Sequence, residues 1–204
     1  MSDKNLPEGV VLLHGLGRTY RCMKKLERAL QVQDYATLNI DYPTRHFTFA
    51  GHAKNLAPKI NDFAQRVSRV NLIGFSMGGL VIRALLASAN RPAHLGRVVM
   101  IGTPNGGSEV ADFLCGNKIT NFLFQKLCGP VASELTVAHQ SQQKPVVDYP
   151  AYVVAGITTL DPLVSLIVKG DNDGMVAVEK TKLPGLSGHV VVGGTHTFLP
   201  ENKA

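Results

Sequence analysis

Residues 70–86 constrain the fold most, because they require a strand, a sharp turn and a helix in immediate succession. Their first residues form an apolar run typical of a buried strand, and their last seven have the character of a helix. The turn between them, residues 74–79, reads GFSMGG and carries Ser76 among glycines. Side chains at Gly74 and Gly78 would collide with the neighbouring strand and helix, which explains the glycines there.

A Gly-x-Ser-x-Gly turn in this setting is the pattern of a nucleophile elbow, which we use below as the name of residues 74–79. Such a turn raises the serine oxygen above the sheet and aims the first N–H groups of the helix at the atom it attacks. The alternative is a glycine-rich turn with an incidental serine, since short motifs recur by accident. Residues elsewhere in the chain distinguish a nucleophile elbow from an incidental serine.

Apolar runs alternate with helix-like segments along the whole chain. Strands are expected at residues 10–13, 35–41, 70–75, 98–102, 151–156 and 189–192, with helices at about 19–32 and 52–67. Strands that are apolar throughout and separated by helices predict a mostly parallel sheet of about six strands, covered by helices on both faces. The length of 204 residues suits one α/β domain, residues 1–204, without a linker or repeat.

Residues 104–149, called the insert below, interrupt this alternation after the fourth strand. Their apolar spacing predicts two short amphipathic helices. The insert is either a lid or acyl-binding wall beside the active site, or an ordinary long connection packed on the core. For the first case we expect Phe113, Phe122 and, further along, Leu163 to contact substrate.

A serine nucleophile needs a base, and the base needs a carboxylate that orients it. The base is expected last in chain order, which leaves His189 and His196. His189 lies within an apolar strand, whereas His196 follows that strand in a loop at its carboxyl end, where active-site groups of an open α/β sheet gather. The sequence therefore favours His196.

For the acid, Asp173 is the best candidate and Asp171 the second. Gly174 permits a tight turn after Asp173, and the apolar residues that follow anchor it. The same segment faintly resembles a calcium loop, but the later ligands of that motif are missing, so no metal and no cofactor is expected.

Backbone donors for an oxyanion are expected at the end of the first strand, residues 14–17 (HGLG). The N–H groups of Leu16 and Met77 form the predicted pair, each stabilising a transition state by about 3 kcal/mol. His14 is expected to hold this loop rather than to act as the base.

With these features together, the chain resembles the small bacterial lipases and esterases of the α/β-hydrolase superfamily. The matching segments are residues 14–19, 41–43, 74–79, 102–108, 172–176 and 195–197. The resemblance implies an α/β-hydrolase fold, acylation of Ser76, and Asp173 rather than Asp171 as the partner of His196. It implies a serine carboxylic-ester hydrolase, and the short insert favours an esterase over a lipase for long chains. A thioesterase or acyltransferase with the same three residues, or a binding protein that keeps the fold, are the alternatives.

Charge and composition limit the kinds of partner that the chain is expected to bind. The net charge is +6, and no apolar run approaches the roughly 20 residues of a membrane-spanning helix. No nucleic-acid motif is present, and the basic residues near the first helix are either a solvated face or a weak contact with a membrane surface. We expect a small-molecule or lipid ester as substrate.

The polar first eight residues lack the apolar core of a signal peptide, which favours the cytoplasm, or export if a leader has been removed. Cys115 and Cys128 could pair in an exported protein, although free thiols fit the three cysteines better.

Overall fold

A six-stranded sheet forms the centre of the computed structural model, which describes residues 6–202 except 144, 146 and 160–166. The strand order is β2-β1-β3-β4-β5-β6, and every pairing between these strands is parallel. The strands are β1 (Gly9–Leu13), β2 (Ala36–Ile40), β3 (Val70–Phe75), β4 (Leu95–Ile101), β5 (Ala151–Gly156) and β6 (Gly188–Val192). The predicted parallel sheet of about six strands is confirmed.

Helices connect the strands on both faces of the sheet. They are α1 (Lys24–Val32), α2 (Phe49–Ala64), α3 (Met77–Leu86), α4 (Glu109–Cys115), α5 (Lys118–Cys128), α6 (Val131–Glu134), α7 (Val137–Gln142) and α8 (Val178–Thr181). Within the described residues there are also two 3₁₀ helices, Tyr20–Met23 and His196–Glu201. None of the helices in the described ranges is long and apolar enough to cross a membrane.

Strand β1 shows why the sheet is covered on both faces. Val11 and Leu13 point into a core shared with α2 and α3, whereas Val10 and Leu12 point into a second core that includes Met23. These four residues are at most 2% exposed. Burial of each such side chain contributes about 2 kcal/mol, so a continuous apolar run is stable only between two layers of helices.

Two elements begin three residues earlier than predicted. Helix α2 begins at Phe49 rather than near His52, because the side chain of Thr48 accepts a hydrogen bond from the Gly51 N–H and caps the helix. Strand β4 begins at Leu95, three residues before the predicted run, where its pairing with β3 shifts register.

The insert contains four short helices, α4 to α7, instead of the two predicted. Helices α6 and α7 span four and six residues, which is too short for apolar periodicity to reveal them. The two longer helices coincide with the two predicted amphipathic segments. They follow the carboxyl end of β4, and the elbow follows the carboxyl end of the neighbouring, parallel β3, so the insert begins at the edge of the sheet that carries the elbow.

Candidate active site

Ser76 occupies the predicted turn between β3 and α3. Its backbone angles are φ 53° and ψ −122°, in the left-handed half of φ space that non-glycine residues rarely adopt. Such a conformation costs about 1–3 kcal/mol and persists only where the surroundings enforce it. The position is central, because β3 lies between β1 and β4 in the sheet.

The glycines of the elbow are required by close backbone contacts. A Cβ atom on Gly78 would lie 2.3 Å from the Leu13 carbonyl oxygen, and one on Gly74 would lie 2.4 Å from the Gly79 nitrogen. Both obstacles are backbone atoms, which cannot move aside without disturbing β1 or α3. The collisions expected from the sequence are therefore present in the structure.

His196 and Asp173 lie beside Ser76 although they come from distant parts of the chain. His196 Nε2 is 2.9 Å from Ser76 Oγ, and His196 Nδ1 is 2.7 Å from Asp173 Oδ2. The His196 backbone N–H also donates to the Asp173 carbonyl oxygen at 2.7 Å, which ties the two loops together. The structure thus brings the predicted serine, histidine and aspartate into one hydrogen-bonded row.

The Asp173 carboxylate is fixed by its own loop. It is 2% exposed, and Oδ1 accepts hydrogen bonds from the Met175 N–H at 3.0 Å and the Val176 N–H at 2.9 Å. Oδ2 is thereby left to face His196. Asp171, the second candidate, has an exposed side chain, and His189 pairs with Thr181 at 2.8 Å instead.

The predicted oxyanion donors border the same space. Leu16 and Met77 both line the cavity next to Ser76. Met77 is the first residue of α3, so its N–H has no carbonyl acceptor within the helix. No hydrogen bond joins the Leu16 N–H to another residue in the described part of the chain. Both donors are therefore available to a ligand at Ser76.

A buried aromatic cluster holds the loop that carries Leu16. The Tyr42 hydroxyl donates to the His14 carbonyl oxygen at 2.6 Å, and the two rings stack with centroids 4.5 Å apart. The His14 imidazole, fully buried, contacts the Gly15 carbonyl through Nδ1 at 3.0 Å. Thr44 accepts from the Gly17 N–H at 3.1 Å. These contacts agree with a structural role for His14.

Acidification is expected to destabilise the fold through this cluster. Burial lowers the pKa of His14 below its ordinary value of 6.5, despite the opposing effect of Asp41, and burial lowers the pKa of His52 as well. The unfolded chain therefore binds protons more readily, and the free energy of unfolding should decrease as the pH falls below about 6.5. Urea unfolding at pH 7.5 and pH 5.5 measures this. Equal or greater stability at pH 5.5 would contradict it.

An apolar cavity of about 240 Å³ opens beside Ser76 and His196. The insert supplies much of its wall through Val110, Ala111, Leu114, Phe124 and Leu135. Its lining is predominantly apolar, as the acyl part of an ester would require. The insert thus takes part in the site, and we refer to this space as the acyl cavity.

The predicted substrate contacts within the insert need correction. Phe113 is 61% exposed and Phe122 is 67% exposed, and neither lines the acyl cavity. Both lie on the outer faces of α4 and α5, where the helices turn them away from Ser76. Phe124 occupies the inward position instead. Leu163 lies outside the described residues.

Two supporting residues were not found from the sequence. Thr103 is fully buried, and its hydroxyl donates to the Ser76 carbonyl oxygen at 3.0 Å. A Cβ on Gly79 would lie 2.1 Å from that hydroxyl, so the second glycine of the GG pair makes room for Thr103. Arg18 lines the acyl cavity and donates from Nη2 to Thr197 Oγ1 at 2.9 Å, next to His196.

Within the described ranges, no group of three or more His, Cys, Asp or Glu side chains could hold a metal ion. Cys22, Cys115 and Cys128 are free thiols, and burial raises the pKa of each. They are therefore less reactive than ordinary cysteines.

Comparison with protein families gives a match over most of the chain: the model of the palmitoyl protein thioesterases matches residues 9–153. Among curated proteins, triacylglycerol lipases of Pseudarthrobacter phenanthrenivorans and Burkholderia plantarii are each 49% identical over 51 residues, or 25% of this chain. The chain covers only 15% and 14% of their lengths.

Solved structures resemble the whole fold. Bacillus licheniformis lipase BlEst2 in its propeptide form has a TM-score of 0.81 at 20% identity, covering 98% of this chain and 48% of its own. The mature form has a TM-score of 0.79 at 20% identity and is covered to 89%. The fold is therefore the α/β-hydrolase fold.

Proposed function

Because the chain belongs to the palmitoyl protein thioesterase family, we propose that it is a serine hydrolase that cleaves carboxylic esters through an acyl-enzyme. The observation that carries the proposal is the hydrogen-bonded row of Asp173, His196 and Ser76 at the acyl cavity. Acyl transfer needs a nucleophile, a base and a group that orients the base. The three side chains have this order and lie at hydrogen-bonding distances.

In the first half of the reaction, Ser76 Oγ attacks the ester carbonyl carbon while His196 Nε2 takes the hydroxyl proton. The carbonyl oxygen becomes an oxyanion that accepts hydrogen bonds from the Leu16 and Met77 N–H groups. The bond to the leaving oxygen then breaks, and His196 gives its proton to the departing alcohol. Ser76 now carries the acyl group.

In the second half, water attacks the acyl carbon and His196 Nε2 takes a proton from it. The bond to Ser76 Oγ breaks, the free acid leaves, and the proton returns to Ser76. Asp173 stays ionised and holds His196 with Nδ1 protonated throughout, which stabilises the imidazolium that forms twice. The net reaction consumes one ester and one water.

The family model supports a second candidate, thioester hydrolysis by the same residues. The acyl-enzyme is identical, and only the leaving group differs. A thiol has a pKa near 8.5, so it leaves with less help from His196 than an alcohol does. Matched esters and thioesters therefore distinguish the two activities.

Active-site labelling tests the proposal directly. A fluorophosphonate probe should modify Ser76, as located by peptide mass spectrometry, and ethyl butyrate should be hydrolysed in a parallel assay. Hydrolysis of S-ethyl thiobutyrate alone would favour the thioesterase. Folded protein that is neither labelled at Ser76 nor active on either compound would contradict both candidates and favour a binding protein.

Ser68 provides the control for labelling. Its side chain is exposed just before β3, away from the acyl cavity. The Ser68→Ala variant should be labelled at the same rate as the parent, whereas Ser76→Ala should not be labelled. Loss of labelling in Ser68→Ala would show that the probe does not report the elbow.

A further inference from the structure

A second groove, of about 480 Å³, adjoins the acyl cavity on the outer side of the loop that carries Leu16. Gly17 and Arg45 line this groove, and Arg18 belongs to the walls of both spaces. The two arms of an ester diverge from the carbonyl carbon that Ser76 attacks. With the acyl arm in the apolar cavity, a leaving group that passed Arg18 would enter the groove, because Arg18 lines both spaces.

Two arginines, Arg18 and Arg45, line the groove together with Gly17. Arg18 Nη2 is held by Thr197 Oγ1 at 2.9 Å. Arg45 Nη2 lies 3.4 Å from the position that a Cβ on Gly17 would occupy, and Gly17 has φ 65°. A side chain on Gly17 would therefore contact the Arg45 guanidinium.

The charge of the groove is not balanced by the protein. Within the part of the chain that the structure describes, neither Arg18 nor Arg45 forms an ion pair. Asp41 lines the same groove, but its Oδ1 is 3.1 Å from His14 Nε2 and accepts from the Tyr20 N–H at 3.1 Å. His46 lines the groove as well. The groove thus presents two permanent positive charges against one engaged carboxylate.

We propose that the groove binds a phosphate group carried by the leaving group of the substrate, with Arg18 and Arg45 as its ligands. Guanidinium forks match phosphate oxygens, and a phosphate monoester carries about −1.5 to −2 charges at pH 7, enough to balance both cations. This inference rests on the proposed function, because it places the phosphate on the alcohol or thiol that Ser76 releases.

Two sources share this chemistry: the glycerophosphate of a phospholipid and the phosphates of a coenzyme A thioester. Matched pairs of substrates distinguish them. The first pair is 1,2-dihexanoylglycerol 3-phosphate and 1,2-dihexanoylglycerol, and the second is butyryl-coenzyme A and butyryl-N-acetylcysteamine. Within each pair the acyl group and the bond cleaved are the same. The first pair differs by the phosphate alone, whereas the second differs also by the pantothenate and adenosine parts of coenzyme A. The part of each kcat/KM ratio that is lost on removal of an arginine therefore reports the phosphate, and the pair with the larger loss identifies the source.

The phosphate-bearing substrate of at least one pair should be preferred by about tenfold or more, and Arg45→Gln should remove most of that preference. Arg18→Gln should lower the same ratio. Arg28→Gln, on the exposed surface of α1, changes the net charge equally and should leave the ratio as it is. Equal ratios in the parent and the Arg45→Gln variant would overturn the inference.

A binding measurement separates this inference from the proposed function. Ser76→Ala protein, which cannot turn over substrate, should bind glycerol 3-phosphate in calorimetry at low salt, and addition of Arg45→Gln should weaken that binding at least tenfold. Hydrolysis of phosphate-free esters without phosphate preference or binding would overturn the inference and leave the function standing. Folded protein that hydrolyses none of the four substrates would contradict the function itself.

Discussion

Ser76→Ala is expected to lower kcat for ester hydrolysis by about 10⁴-fold or more. The variant loses the oxygen that lies 2.9 Å from His196 Nε2, while the backbone donors of Leu16 and Met77 remain. Residual turnover should therefore come from water activated by His196 beside the intact oxyanion site. The assay is initial-rate hydrolysis of a p-nitrophenyl ester, with thermal unfolding as the check on folding.

The matched control for this prediction is Ser68→Ala, which removes the same atom from the surface and should keep the parental rate. A folded Ser76→Ala protein that retains more than about 1% of the parental kcat would exclude an acyl-serine mechanism. In that case the elbow would be a structural turn, and the ester would be cleaved elsewhere.

Asp173→Asn is expected to lower kcat by about 10⁴-fold with little effect on folding. The loop fixes the orientation of the new amide, because the Met175 and Val176 N–H groups need an oxygen acceptor at the position of Oδ1. The amide NH₂ must then face His196 Nδ1, which becomes the acceptor. The proton moves to Nε2, so the imidazole can no longer accept the proton of Ser76.

Asp171→Asn is the control for this substitution, since Asp171 lies two residues away with an exposed side chain. Rates for both variants, measured on the same ester, give the comparison. Parental activity in Asp173→Asn, or an equal loss in Asp171→Asn, would contradict the role proposed for Asp173.

The sequence predicted the elements whose signals are local. Ser76 was identified as the nucleophile from the two residues on each side of it and from the strand before it. His196 was identified from its place after β6. The parallel sheet followed from strands that are apolar throughout, since these need helices on both faces. Each of these inferences depends on residues that are neighbours along the chain.

The walls of the site could not be predicted in the same way. In the insert, Phe122 and Phe124 are two residues apart on α5, and only the packing of α5 against α4 and α6 decides which of them points inward. When a short helix has apolar residues on more than one face, its sequence does not show which face is buried. Arg45 could not be predicted as a site residue for a different reason. It approaches Gly17, which lies 28 positions earlier in the chain, from a loop without hydrophobic periodicity.

The hydrogen bond between Ser76 and His196 joins residues 120 positions apart, and it depends on strands β3 to β6 lying side by side. Such long-range contacts form late in folding, because the entropy of closing long loops opposes them until the sheet is complete. Intermediates that have folded only the first half of the chain contain the elbow but no base. Regain of esterase activity during refolding should therefore lag behind regain of helical structure, which makes catalysis a reporter of the last step of assembly.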